Sequence, residues 1–127
     1  MKILWVSRHE PLESQRRELK RLYGEDVIID QHDKPYANAA EILKVYRRGF
    51  YDEMVLVAPL SVCKVIVSYG IKPLSSEMAQ LEADDPDIEL RVNDSMRERL
   101  GGKARYYKFV RFKRMERIDI TYSNLDT

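Results

Sequence analysis

The sequence predicts a single three-layer α/β domain built on a Rossmann-like, mainly parallel sheet of flavodoxin-like order, extended by antiparallel strands from its C-terminal third. Three observations predict it. Ile3-Leu4-Trp5-Val6, Val27-Ile28-Ile29 and Met54-Val55-Leu56-Val57 are continuous apolar bursts, the pattern of strands buried on both faces. Each burst breaks off into a polar or turn-forming cluster: Ser7-Arg8-His9, Asp30-Gln31-His32-Asp33 and Ala58-Pro59-Leu60-Ser61. A segment with helical periodicity then follows each cluster.

The first helix is expected to open near Pro11, whose fixed φ suits a first helical position, and to stop at Gly24. Leu12, Leu19, Leu22 and Tyr23 supply its apolar stripe. Asn38 and Glu41 read as a capping box opening a second helix, with Ile42, Leu43, Val45, Tyr46 and Phe50 on its apolar face and Gly49 near its end. Ser61 is placed as the cap of a third, running through Val62, Val65, Ile66 and Tyr69 to Gly70.

Beyond Gly70 the pattern loosens. Ile71 to Leu74 reads as a fourth strand with Pro73 at its end, and Ser76 to Leu81 as a short helix. Ile88, Leu90 and Val92 alternate with polar residues like a half-exposed strand. A short helix begins near Ser95 and is broken by Gly101-Gly102. Val110 and Phe112 are then expected to face inwards against Arg111 and Lys113. Ile118, Ile120 and Tyr122 repeat the alternation beyond a turn or bulge at Arg114 to Glu116.

At 127 residues the chain is one domain, 1–127, with no repeat, low-complexity tract or linker. No apolar run approaches the roughly 18 residues a bilayer span needs, and the four-residue N-terminal burst is followed at once by charge, unlike a signal peptide. Cys63 alone cannot form an internal disulfide, so a reducing, cytoplasmic setting is expected, with no membrane partner. The charge is unevenly spread. Nine bases stand between Arg97 and Arg117 against Glu98 and Glu116, while Glu77 to Glu89 holds six acids and no base. Such asymmetry points to an anionic partner, to self-association of unlike patches, or to internal balance between neighbours in space.

In parallel sheets ligands bind outside the carboxyl ends of the strands, which singles out Ser7, Arg8, His9 and Ser61 as the ligand-binding candidates. Arg8 offers a fork of donors suited to phosphate or carboxylate, His9 an acid, base or donor, and the two serines hydroxyl donors. The competing reading has Ser7 capping the helix and Arg8 pairing with Asp30 or Asp33. Neither G-x-G-x-x-G nor a P-loop follows the first strand, so a dinucleotide cofactor is not expected and none is assigned. For catalysis the candidates are His9 as general acid or base with Asp30 or Asp33 orienting it. His32 stands between those aspartates and, with His9 nearby, could bind a divalent metal or transfer protons, but two histidines on adjacent strand ends are ordinarily just solvated. Asp85, Asp87 and Glu89 do not match a calcium loop, and no metal is assigned. Cys63 at a helix start would have a lowered thiol pKa, yet Val62, Val65 and Ile66 around it favour burial.

Tyr106 to Arg114 interleaves aromatics with bases. Alternation along a strand makes Tyr107, Phe109, Arg111 and Lys113 one exposed face, a platform for nucleic acid, for edge protection or for homodimerisation. The opening S-R-H-E-P, His32-Asp33-Lys34-Pro35 and Tyr107 to Phe112 resemble small α/β proteins of phages and mobile elements whose function is uncharacterised. That resemblance covers most of the chain and implies no catalytic residue. The functional expectation is a small intracellular protein holding an anion, a nucleotide or a nucleic-acid phosphate, at the strand ends. A small hydrolase or phosphotransfer enzyme and a dimerising interaction module are the alternatives.

Overall fold

A computed structural model describes residues 1–93, 101–119, 123 and 125. The elements run β1 (Lys2–Val6), α1 (Glu13–Tyr23), β2 (Ile28–His32), α2 (Ala39–Arg48), β3 (Glu53–Leu56), α3 (Leu60–Ser68), β4 (Leu74–Leu81), β5 (Leu90–Val92) and β6 (Arg105–Arg114). The six strands form one sheet in the order β2-β1-β3-β4-β6-β5. β1 pairs in parallel with β2 and β3, and β3 with β4; β6 runs antiparallel to both β4 and β5.

The chain is α/β, but the Rossmann-like expectation is corrected: the sheet is mixed and curls into a half-barrel carrying three helices. The cause lies at β4. Its parallel register with β3 holds only at Val55 and Leu74, whereas it pairs with β6 from Leu74–Arg114 to Leu81–Tyr106. Pairing along β6 therefore carries β4 away from the parallel strands, and strand twist turns the two halves out of one plane.

The core forms on both faces of the parallel half. Ile3, Trp5, Val55 and Leu74 meet Leu19 of α1 on one face. Leu4, Val6, Met54 and Leu56 meet Ile42 and Leu43 of α2 and Cys63 and Ile66 of α3 on the other. Successive residues of β1 and β3 thus enter different clusters, as alternation along a strand requires, and all of them are apolar except the first of each strand, Lys2 and Glu53.

Helix starts differ from expectation in detail. α1 opens two residues after Pro11, and the Gln15 side chain accepts the Leu12 N–H at 2.8 Å. Its amide nitrogen donates to Ser76 Oγ at 3.2 Å, which fastens the helix start to β4. Asn38 caps α2 by accepting from the Glu41 N–H, while the Glu41 carboxylate accepts from Ala37 rather than closing a box on Asn38. α3 is capped at Pro59, so Ser61 sits inside its first turn and is not its cap.

Further corrections concern the C-terminal third. Ser76 to Leu81 is strand, not helix: pairing with β6 overrides a run of good helix formers. Ile71 to Pro73 precede β4, and Pro73 O accepts from Met115 N. Residues 115–119 form no strand, so the expected hairpin across Arg114 to Glu116 is absent there. The helix near Ser95 and the positions Ile120 and Tyr122 lie outside the described residues.

The largest correction is one of phase. Glu77 pairs with Arg111 and Met78 with Phe109, leaving Val110 as an extra residue, a β-bulge. Tyr107 and Phe109 therefore share a face with Phe112, not with Arg111 and Lys113. The Phe109 and Phe112 rings lie 4.8 Å apart, and Phe112 meets Trp5 edge-on at 6.3 Å. The four residues expected to form one exposed platform are split between two faces.

Candidate functional site at the carboxyl ends of the parallel strands

β2, β1 and β3 end side by side at His32, Val6 and Leu56. Their succeeding loops enclose a cleft of about 640 Å³. The chain passes from β1 outwards to β2 and then across to β3, so the order reverses between β1 and β3, the position at which open α/β sheets place ligands. The Val57 N–H donates to Val6 O at 2.9 Å and prolongs the β1–β3 ladder to the rim.

Ser7, Arg8 and His9 line the cleft together, and the loop that holds them is built locally. Ser7 Oγ accepts from the His9 N–H at 3.2 Å, a tight turn that leaves α1 uncapped by this serine. The indole N–H of Trp5, a buried core residue, donates to His9 O at 2.9 Å. Gln31 of β2 donates to Ser7 O at 3.2 Å and to Arg8 O at 3.4 Å. Three carbonyls are so anchored, and the exposed Arg8 and His9 side chains stand on a braced backbone.

The β2 loop contributes His32, Asp33, Lys34, Pro35 and Tyr36, with His32 and Tyr36 half-buried. The β3 loop and α3 contribute an apolar wall of Val57, Ala58, Pro59 and Val62. Arg8, His9, His32 and Lys34 thus converge with one carboxylate, Asp33, among the lining residues. Such a balance suits an anion, and the apolar wall suits a planar or aliphatic group attached to it.

Two of the candidates lie elsewhere. Ser61 is exposed on α3 and does not line the cleft. Asp30, opposite Leu4 in the register, accepts from the Tyr51 hydroxyl at 2.9 Å, and only Asp33 of the two aspartates reaches the cleft beside His9. Burial, and then Asp30, push the Tyr51 phenol above its ordinary pKa. Lys34 and Tyr36 were not singled out from sequence, although the strand-end rule that selects Arg8 applies equally to the residues after β2.

Cys63 is buried and its thiol contacts Ala58 O at 3.5 Å; burial raises its pKa, opposite to the effect of a helix start. Among the described residues no group of three histidine, cysteine or acidic side chains is arranged to hold a metal ion. No described helix is long and apolar enough to cross a membrane. Comparison of the chain with protein-family models, with curated proteins and with solved structures gives no match.

Proposed function

We propose that the protein binds a nucleotide in the strand-end cleft. The observation that carries this reading is the gathering of Arg8, His9, His32 and Lys34 around one cavity that also has an apolar wall of Val57, Ala58, Pro59 and Val62, with Tyr36 among its lining residues. Arg8 grips the phosphate with its planar fork, Lys34 adds a point charge, and the imidazole N–H groups of His9 and His32 donate hydrogen bonds. The base lies against Tyr36 and the Val57–Val62 wall, where its burial contributes the apolar part of the affinity. Asp33 is suited to the ribose hydroxyls, whose O–H groups a carboxylate accepts.

Calorimetric titration with ATP and with inorganic pyrophosphate tests this reading. Binding by the native chain is expected to weaken as salt rises. Arg8→Ala is expected to weaken it about tenfold or more, the worth of a charge-assisted hydrogen-bond pair. No binding by the native chain, or equal binding by Arg8→Ala, overturns the reading.

A further inference from the structure

The antiparallel half of the sheet has one face towards α1 and one face away from it. Ser76 and Met78 face α1, where both meet Gln15. By alternation Ser75, Glu77, Ala79 and Leu81 face away. Their register partners on β6 are Lys113, Arg111, Lys108 and Tyr106 in that order, and Arg91 of β5 pairs with Tyr106. Residues directly opposite across a ladder point the same way. Arg91, Tyr106, Lys108, Arg111 and Lys113 therefore share one surface.

The bulge at Val110 makes this possible. In an unbroken strand Lys108 and Arg111 would point to opposite sides; the extra residue restores the phase and sets Lys113 one step of roughly 6–7 Å from Arg111 and Lys108 one wider step away. Glu77 accepts from both Arg111 and Lys113, at 2.9 and 2.6 Å, and those cations hold its carboxylate below the usual range. Their side chains nevertheless stay 66% and 62% exposed. Alternation places Glu89, two residues before Arg91, on the same side, where its carboxylate accepts from the Phe109 N–H at 2.9 Å. Among the described residues two carboxylates thus stand against four cations, and the surface stays positive. At the end of β4 and the start of β6 a depression of about 490 Å³ adds Lys103 and Arg105 to Arg91 and Tyr106, with Glu82 the one acid among its lining residues.

We propose that this surface binds the backbone of a single-stranded nucleic acid. A row of cations along one strand follows an extended polyanion, and Tyr106 among them offers a ring on which a base stacks. Arg91 and Lys108 take phosphates directly, while Arg111 and Lys113 exchange Glu77 for phosphate oxygens. The site is separate from the strand-end cleft and does not depend on the cleft's holding a nucleotide.

Fluorescence anisotropy with a labelled oligothymidylate and a labelled oligouridylate, each of about twenty nucleotides, tests the assignment. The native chain is expected to bind, with affinity falling steeply as salt rises. Arg91→Gln with Lys108→Gln is expected to weaken binding at least tenfold and to flatten the salt dependence. Glu77→Gln, which releases two cations, is expected to tighten binding severalfold, a gain that misfolding cannot imitate. Arg8→Ala in the cleft is expected to leave oligonucleotide affinity unchanged, so the two sites fail or stand separately. Absence of binding at low salt overturns the proposal. So does equal binding by all the β-sheet variants, or binding to phosphatidylserine vesicles in place of oligonucleotides.

Discussion

Arg114 and Glu53 meet in a two-pronged ion pair, guanidinium to carboxylate at 3.0 and 2.8 Å, although they come from opposite halves of the sheet. Glu53 opens β3 and is buried; Arg114 closes β6. The Tyr23 hydroxyl at the end of α1 donates to the same carboxylate at 2.8 Å, and Arg114 donates as well to Lys72 O. The cluster ties the curled antiparallel strands to the parallel core at the end of β3 remote from the cleft. Removing the cation strands a buried carboxylate, which costs far more than the pair is worth relative to an apolar replacement. Arg114→Met is expected to destabilise the fold by about 2–3 kcal/mol in urea denaturation. Adding Glu53→Leu to that variant is expected to recover part of the loss, and a further loss would contradict the assignment.

Alkaline pH should unfold the protein early. Tyr23, Tyr46 and Tyr51 all have phenol pKa values raised above the ordinary 10.0, in each case first by burial. Glu53 acts next on Tyr23 and Tyr46, and Asp30 on Tyr51. The native state keeps these protons at a pH where the unfolded chain releases them. Their contribution is thus fully present below about pH 10 and is lost as pH rises through the native-state values. Denaturation midpoints measured from pH 8 to pH 11.5 are expected to fall above pH 10, and Tyr23→Phe with Tyr51→Phe to blunt that fall. A flat profile would refute it.

Gly49 cannot be replaced cheaply, although its φ of −84° is open to any residue. A Cβ there would overlap the ring of Tyr51, the ring that binds Asp30 through its hydroxyl and carries Lys2 Nζ 4.6 Å above its face. Gly49→Ala is expected to cost about 1–3 kcal/mol by overpacking. Tyr51→Leu in the same chain is expected to remove most of the steric part, so the two changes should be far from additive in a double-mutant cycle.

Sequence patterning made the parallel half legible because its strands are buried on both faces: Ile3 to Val6 and Met54 to Leu56 need only be read as apolar runs. The loops after β1 could be located by the same logic, and Arg8 and His9 with them. The curl could not be read, since it arises where β4 leaves β3 after Leu74, a choice made by pairing with a strand thirty residues later. Ser76 to Leu81 reads as helix because its helix-forming residues say nothing of that partner. The bulge at Val110 defeats the alternation argument: one unpaired residue moves Tyr107 and Phe109 onto the face of Phe112 and away from that of Arg111 and Lys113, and no local signal announces it. Ser61 is displaced by a two-residue shift in helix start, from the expected cap to the first turn after Pro59.

The cleft reading has a built-in reporter in Trp5, the sole tryptophan, whose indole N–H donates to His9 O beneath the anion-binding loop. An ATP titration followed by the Trp5 indole ¹⁵N–¹H resonance tests the account most directly. A saturable shift of that resonance, abolished by Arg8→Ala while the rest of the spectrum is retained, is the predicted result. Saturable ATP binding that leaves the indole resonance and the His9 amide unmoved would contradict it.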